Sequence, residues 1–200
     1  SPRYQYESPS PFSLEKPGFN LIYLTRQSFN FMEVSTGTYQ PSPPQLIYLG
    51  EKDMNLVDVQ SDGGIHAPTI RFHKGTFYII TTNVYNSGDG EPGLMRNFII
   101  TAKDPTGPWS KPHIIDGAPG IDPDIFFDTD GKVYFTGTHN PGDMNSNGIG
   151  EIWIQELDIK KWKLKGERKT VWDGVFGCCT EGPHIYKEHG LYYLLVAEGG

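Results

Sequence analysis

The sequence predicts an all-β protein of the β-propeller class, and two observations lead to that prediction. A strand–turn–strand pattern recurs along the chain from Pro11, Pro68, Pro123 and Pro183, which are 57, 55 and 60 residues apart. A glycine follows each of these prolines after 7, 7, 8 and 7 residues. A fixed period indicates one supersecondary unit that is repeated and packed on its neighbours. A strand-rich unit of this length fits the four-stranded blade of a propeller.

The composition agrees with this class and excludes several kinds of partner. Aromatic residues make up 13% of the chain, which also contains 24 glycines and 16 prolines, as many short strands and turns require. The formal net charge of −7 argues against a nucleic-acid groove, which would need clustered Lys and Arg. No apolar run approaches the ~18 residues of a membrane span. We therefore expect neither a nucleic acid nor a membrane as partner.

The period divides the chain into three blades and the start of a fourth, so we expect an incomplete propeller that forms one partial β-propeller domain over residues 1–200. Blade one covers about residues 8–62, blade two 63–118, blade three 119–178, and the start of blade four 179–200. Blade one is the least regular because prolines interrupt it. The chain stops after an apolar run where a blade would need its outer strands, so we expect a fragment or a truncated product.

Within the blades, alternating apolar residues and turn signals predict the individual strands. Each proline opens a strand, a Gly-containing turn follows, and a second apolar run returns antiparallel to the first. The clearest example is 123–135, where Asp130-Gly131 marks the turn. Residues 98–102 and 151–157 read as further strands, and the polar segments 86–93 and 140–148 read as loops.

The repeat also brings candidate chemistry together, because equivalent positions of successive blades gather around one axis. The residue pairs directly before the four prolines are Pro9-Ser10, His66-Ala67, Ile121-Asp122 and Glu181-Gly182. Asp122 and Glu181 are thus expected to converge from different blades. Two carboxylates facing one cavity suit the cleavage of a glycosidic bond, in which one acid protonates a poor leaving group while negative charge supports an oxocarbenium-like transition state.

Other chemistry is not supported by the sequence. Asp128-Thr129-Asp130-Gly131 lacks the further acidic ligands of a calcium loop, and the six histidines show no zinc spacing. A Gly-x-Ser-x-Gly elbow is missing as well. We therefore predict no metal and no cofactor. The adjacent Cys178 and Cys179 are expected to be two small buried thiols beside the site rather than a vicinal disulfide.

Four segments of the chain closely resemble glycoside hydrolase family 43, from about residue 62 to the end. They are GGIHAPT (63–69), DPTGPW (104–109), IDP (121–123) with FFD (126–128), and TEGPHIY (180–186). The resemblance implies a five-bladed propeller with β-xylosidase or α-L-arabinofuranosidase activity and an inverting mechanism. The implied partner is a carbohydrate, namely a xylose- or arabinose-containing plant polysaccharide or oligosaccharide.

The same resemblance implies roles for individual residues. Glu181 would be the general acid, and Asp122 would be the carboxylate that tunes its pKa and orients it. His66 lies where many relatives place a sugar-stacking tryptophan, and Phe29 falls near the family's aromatic residue at the nonreducing-end subsite. His66 and Phe29 are therefore candidate substrate-binding residues.

Blade one departs from the family pattern. Relatives carry Asn-Pro-Asp-Pro there, and the Asp is the general base that activates water, whereas this chain reads Ser8-Pro9-Ser10-Pro11. Ser10 therefore takes the position of the base at the substrate. A serine with its ordinary high pKa cannot take a proton from water at neutral pH without a base of its own. We expect the activity of the chain as written to be impaired.

Two alternative functions stay open on the sequence. A noncatalytic sugar-binding propeller would have kept the pocket and lost the base; Ser10 favours this alternative, whereas Asp122 and Glu181 argue against it. A retaining enzyme of the invertase type would carry Arg-Asp-Pro and Glu-Cys, where this chain has Ile121-Asp122-Pro123 and Glu181-Gly182. The sequence favours neither a secreted nor a cytoplasmic location and no particular oligomeric state.

Overall fold

The computed structural model describes residues 63–85, 94–140, 150–175 and 179–199, with the backbone alone at 19–25, 28–34, 85 and 94. Every regular element in these ranges is a β-strand, which confirms the predicted all-β class. In the same ranges, no helix has the length and apolarity needed to cross a membrane.

The strands follow one another with short connections. They are β1 (Phe19–Thr25), β2 (Ser28–Val34), β3 (Gly64–His73), β4 (Thr76–Tyr85), β5 (Leu94–Ala102), β6 (His113–Ile114), β7 (Ile121–Phe127), β8 (Val133–His139), β9 (Glu151–Asp158), β10 (Lys163–Trp172), β11 (Glu181–Glu188) and β12 (Leu191–Ala197).

Each sheet is an antiparallel meander in chain order. The sheet β3–β6, called blade two here, and the sheet β7–β10, called blade three, have four strands each. The hairpin β11–β12 begins blade four, and β1 pairs with β2. The strand β7 contacts both β3 and β11, which open the neighbouring blades. These three strands are therefore the innermost strands around a common axis, as the position of Pro68, Pro123 and Pro183 in the repeat predicts.

Tight turns account for the inner hairpins. Lys74 and Gly75 join β3 to β4 with φ of 48° and 74°, and His189 and Gly190 join β11 to β12 with φ of 49° and 78°. Two successive left-handed residues form the turn whose twist matches that of the flanking strands. Between β7 and β8 the turn is longer, and Gly131 takes φ of 87°. All three hairpins lie where the sequence predicts them.

Among the described residues, an apolar core joins blade two to blade three. Its members are Ile80, Ile99, Ile115 and Ala118 from the first of these sheets and its exit, with Ile125, Val133, Phe135, Trp153 and Leu157 from the second. Burying one large apolar side chain stabilises a fold by about 1.5–3 kcal/mol. This core therefore holds β7 firmly beside blade two, with the N-terminal ends of β3 and β7 on the same side.

Candidate active site

Each of the three innermost strands begins with a β-bulge. One residue in the left-handed region precedes the proline of each strand: Ala67 (φ 36°), Asp122 (φ 55°) and Gly182 (φ 59°). The pairing register skips at the same step, between His66 and Thr69, Ile121 and Asp124, and Glu181 and His184. Bulges interrupt the ladder and re-aim side chains, and they are frequent beside active sites. At the start of these strands, side chains therefore need not alternate between the two faces of the sheet.

Asp122 and Glu181 meet at this end of the propeller. The backbone N–H of Gly182 donates to Asp122 Oδ2 at 3.1 Å, which joins the start of β7 to the start of β11. Asp122 is half-buried, whereas Glu181 is exposed at the rim. An exposed carboxyl group such as that of Glu181 can reach the oxygen of a bound glycosidic linkage. A more buried carboxylate next to it, such as that of Asp122, can change its pKa.

Electrostatics separate these two carboxyl groups from ordinary surface acids. Although Glu181 is exposed, the surrounding protein removes part of its contact with water, which raises the pKa of Glu181 above its usual value, and the negative charge of Asp122 raises it further. Burial also raises the pKa of Asp122, against the lowering effects of the Gly182 N–H bond and of the charges of His66 and His184. Two like charges in one partly buried site are costly. Glu181 is therefore suited to keep a proton to a higher pH than a free glutamic acid would.

Blade three fixes the residue that precedes Glu181. The hydroxyl of Thr138 donates to the carbonyl oxygen of the buried Thr180 at 2.6 Å, and the hydroxyl of Thr180 donates to Glu198 Oε1 at 3.5 Å. A Cβ at Gly150 would lie 2.8 Å from the same carbonyl oxygen. A Cβ at Gly120, which has φ of 73°, would lie only 1.7 Å from the carbonyl oxygen of Thr138. Glycine is thus required where β7 enters the site.

Of the other predicted site residues, the side chain of one is described and those of two are not. His66 lies near the start of β3, where its carbonyl oxygen accepts the Thr81 hydroxyl at 2.5 Å and its ring lowers the pKa of Asp122. Only the backbone of Phe29 is described, as part of β2, and Ser10 lies outside the described residues. The structure thus brings Asp122, Glu181 and His66 together, and the roles of Ser10 and Phe29 stay predictions.

Three residues that the sequence patterns did not indicate lie further along the same strands. Arg71 of β3, Asp124 of β7 and His184 of β11 form one contiguous group of charged and polar side chains. All three occur inside segments that the sequence analysis interprets through their turns or through the candidate carboxylates Asp122 and Glu181. Their contact could have been foreseen only from the register between blades, which the repeat period does not give.

One prediction for this region is wrong. Cys179 is disulfide-bonded, so it is not the free thiol that the spacing predicts, and Cys178 lies outside the described residues. Among the described residues, no group of three or more His, Cys, Asp or Glu side chains is arranged to hold a metal ion.

A cavity of about 200 Å³ opens next to Glu181. Its walls come from Met95, from the start of β7, from the ends of β8 and β9 at Thr138, His139, Asn140 and Gly150, and from Cys179 and Thr180. A group bound in this cavity would lie beside the rim carboxyl. The cavity is therefore suited to hold part of a ligand next to Glu181.

Similarity to known families and proteins extends over most of the chain. The family model described as "Glycosyl hydrolases family 43" matches residues 50–200. A xylosidase/arabinosidase of Butyrivibrio fibrisolvens is 54% identical over 142 residues, which cover 68% of this chain and 26% of the relative. A non-reducing end α-L-arabinofuranosidase of Bacteroides ovatus is 40% identical over 140 residues, which cover 70% of this chain and 24% of the relative.

Among solved structures, a xylan β-1,4-xylosidase of Bacillus halodurans superposes with a TM-score of 0.69 at 29% identity, covering 94% of this chain and 38% of that one. This similarity confirms the predicted propeller fold class. The chain spans about a quarter of the length of the Butyrivibrio fibrisolvens and Bacteroides ovatus relatives.

Proposed function

Because the chain belongs to glycosyl hydrolases family 43, we propose that it forms part of a glycoside hydrolase that cleaves xylosyl or arabinofuranosyl bonds of plant glycans with inversion. The observation that supports this proposal best is the bond from Gly182 N–H to Asp122, which holds Asp122 beside Glu181 across two blades. The matched residues make up only about a quarter of each of the Butyrivibrio fibrisolvens and Bacteroides ovatus relatives.

In this proposal Glu181 is the general acid. Cleavage breaks the bond between the anomeric carbon and the glycosidic oxygen, and that oxygen leaves as a poor alkoxide unless it receives a proton. Burial and the charge of Asp122 raise the pKa of Glu181, so its carboxyl group is protonated over a wider pH range. Its position at the rim and beside the 200 Å³ cavity suits contact with the leaving group.

Asp122 acts through its negative charge. The Gly182 N–H bond and the nearby His66 and His184 oppose the effect of burial and favour the ionised form of Asp122. An ionised Asp122 raises the pKa of Glu181 and orients the strand that carries it. The same charge favours the positive charge that develops on the sugar ring in the transition state.

Inversion further requires a base on the opposite face of the sugar ring. The base removes a proton from water as the water oxygen attacks the anomeric carbon, and Glu181 gives its own proton to the departing oxygen. The family resemblance gives this position to Ser10, which cannot perform that step unaided. We therefore propose that the chain retains the acid half of the machinery and lacks the base.

A noncatalytic sugar-binding propeller is the second candidate, and Ser10 is the specific observation that favours it. Such a protein would bind the same sugars without turnover. Selection for binding alone would not require a raised pKa at Glu181, because binding uses no proton transfer from the rim. The state of Glu181 therefore favours the hydrolase.

A chimaera tests the proposed function. Residues 63–200 replace the matching segment of the Butyrivibrio fibrisolvens relative, which supplies the remaining parts of the propeller. Aryl β-xylosides and aryl α-L-arabinofuranosides are then assayed, and proton NMR follows the anomeric form of the first product. We expect hydrolysis of at least one of these with inversion. A folded chimaera that hydrolyses neither substrate, beside an active parent, would contradict the proposal.

A further inference from the structure

Asp124 is the most deeply buried carboxylate among the described residues of the inner strands, with 0% of its surface exposed. Its Oδ1 accepts the Nε–H of Arg71 at 2.8 Å and the backbone N–H of Ile125 at 2.7 Å. Its Oδ2 accepts a second guanidinium N–H of Arg71 and faces Nδ1 of His184 at 3.3 Å. Both oxygens are therefore fully engaged.

This group of side chains joins three blades. Arg71 comes from β3, Asp124 from β7 and His184 from β11, and the guanidinium of Arg71 also lies over the ring of Tyr186 at 5.0 Å from its centroid. A two-fold Arg–carboxylate pair fixes the orientation of both partners. Removing one partner of such a buried pair is strongly destabilising, because an uncompensated charge remains.

The group lies directly behind the two candidate catalytic carboxylates. Asp124 is two residues beyond Asp122 on β7, and His184 is three residues beyond Glu181 on β11. Both strands carry a bulge at the intervening step, so Asp122 lies in the register gap without a paired residue, and the pair of Glu181 with Ala197 is separated by the gap from the rest of its ladder. Backbone pairing in the described sheets runs only within blades, so the contact between blades depends on side chains.

We propose that Arg71, Asp124 and His184 form a positioning cluster that sets the separation and orientation of Asp122 and Glu181 from behind. Asp124 is the centre of the cluster because it alone contacts the other two members. Since the oxygens of Asp124 accept hydrogen bonds, Nδ1 of His184 carries the proton that faces Asp124 Oδ2 at 3.3 Å. These are positioning residues and take no part in bond breaking.

This inference rests on the proposed function, in which Glu181 donates a proton, but its test does not require turnover. The readout is the pKa of Glu181 in the unliganded chain, measured by NMR titration of ¹³C-labelled carboxyl groups and assigned with Glu181→Gln. Several titratable and charged groups lie around Glu181 and the positioning cluster. They are Asp122, Asp124, His66, Arg71, His184, His139 and Glu198.

The decisive variant is His184→Leu, which removes the β11 arm of the cluster. Loss of the imidazolium charge alone would raise the pKa of Glu181, because a nearby cation favours the carboxylate. Loss of positioning would instead lower it, since Glu181 would move away from the charge of Asp122. We expect a fall of about half a unit or more. His184 is 33% exposed, so the substitution leaves the buried Arg71–Asp124 pair in place.

Lys187→Met is the matched control. Lys187 lies on the same strand and also bonds a carboxylate of blade three, Asp128, at 2.6 Å, but at the end of β11 far from Glu181. We expect this variant to leave the pKa of Glu181 unchanged. An equal fall in both variants would show that any loosening of blade four has this effect, and the positioning cluster would be refuted.

A second variant covers the centre of the cluster. In Arg71→Met/Asp124→Asn both charges are removed together, so a simple charge effect nearly cancels while positioning is lost. A lowered pKa of Glu181 supports the inference, and an unchanged pKa overturns it. If Glu181 has an ordinary pKa in the unsubstituted chain, the proposed function fails first. If that pKa is raised but insensitive to His184→Leu, the inference alone fails.

Discussion

The backbone N–H of Gly182 donates to Asp122 Oδ2 at 3.1 Å, although the two residues belong to different blades and are 60 positions apart in the chain. Both residues take left-handed φ angles directly before a proline. The residue that presents the carboxylate and the residue after the candidate acid thus occupy the same place in their repeats. The shared bulge makes this contact between blades possible.

The role of Glu181 leads to the first prediction. In the chimaera, Glu181→Ala should lower kcat on natural glycosides by about 10²–10⁴-fold, the range of general acid catalysis. Glycosides of dinitrophenol should be largely spared, because that leaving group departs without a proton. Kinetics on both substrate types make the comparison. Glu188→Ala, an exposed glutamate of the same strand, is the control and should leave both rates unchanged. Equal losses on the two substrates would give Glu181 another role.

Asp122 leads to a prediction about pH dependence. Glu181 must be protonated to act as the acid, so kcat/KM of the chimaera falls as the pH rises through the pKa of Glu181. Burial is the larger of the two causes that raise the pKa of Glu181, and the charge of Asp122 is the second. Asp122→Asn removes the charge, so the alkaline limb should move to lower pH by about one unit. The pH profile of kcat/KM measures this shift.

Asp116→Asn serves as the control for that profile, because Asp116 is an exposed residue of the turn that precedes β7. Its substitution should leave both limbs in place. An alkaline limb that stays at the same pH in Asp122→Asn would mean that this limb reports a group other than Glu181.

The hairpin period allowed the fold and the convergence of Asp122 and Glu181 to be predicted from sequence. Local turn chemistry at Gly75, Gly131 and Gly190 marks the ends of the inner strands without any knowledge of packing. The period then places equivalent residues of successive blades near one axis. The first step depends on adjacent residues of the chain, and the second depends on the spacing of the repeats.

The Arg71–Asp124–His184 cluster could not be predicted in this way. Charged residues in alternation on a strand usually indicate a solvent-exposed face, and Asp124 is instead completely buried. Which side chains meet across the axis depends on the bulges before them, and a bulge leaves no clear signature in a single sequence. The state of Cys179 was mispredicted because adjacent cysteines seldom pair, and spacing alone does not distinguish the two outcomes.

Asp128 should make stability depend on pH. Its hydrogen bond from Lys187, then the one from Tyr192, holds the pKa of Asp128 well below its usual value. The contribution is therefore present above the unfolded-state pKa of about 3.9 and is lost as the pH falls toward the folded-state value. The difference in free energy of unfolding between the chain and Asp128→Asn should shrink between about pH 5 and pH 2. Urea unfolding at several pH values measures it.

Asp130→Asn, in the exposed part of the same turn, is the matched control and should show no such trend. A difference between the chain and Asp128→Asn that stays constant over this pH range would show that the Lys187 and Tyr192 contacts do not act through the charge of Asp128.

Gly120 is expected to be intolerant of a side chain. A Cβ there would lie 1.7 Å from the carbonyl oxygen of Thr138, and the residue has a left-handed φ of 73°. Gly120→Ala should destabilise the chain by about 3 kcal/mol or more, because backbone atoms must move. Gly117→Ala is the control, since Gly117 has a similar φ of 78° with open space around it, and it should cost about 1–2 kcal/mol. Urea unfolding measures both losses of stability. If they are equal, the left-handed φ alone explains the cost at Gly120 and the close contact with Thr138 adds nothing.

The base position gives the last prediction, which concerns Ser10. A longer chimaera keeps residues 1–200 and takes only the segment after position 200 from the Butyrivibrio fibrisolvens relative. An inverting enzyme needs its base ~6.5–9.5 Å from the acid, so that a water molecule fits between them. With serine in that position the longer chimaera should be slower than the first one by about 10²–10⁴-fold, the usual contribution of a general base. Ser10→Asp should restore the rate.

Azide separates loss of the base from loss of the fold. Azide attacks the anomeric carbon without giving up a proton, so it needs no base, while Glu181 still protonates the departing oxygen. Added azide should therefore accelerate the unsubstituted longer chimaera and give a glycosyl azide of inverted configuration, which NMR identifies. It should have little effect on Ser10→Asp, where water is already activated. If the unsubstituted form hydrolyses aryl xylosides or arabinosides at the full rate without azide, another residue supplies the base, and Ser10 does not occupy its position.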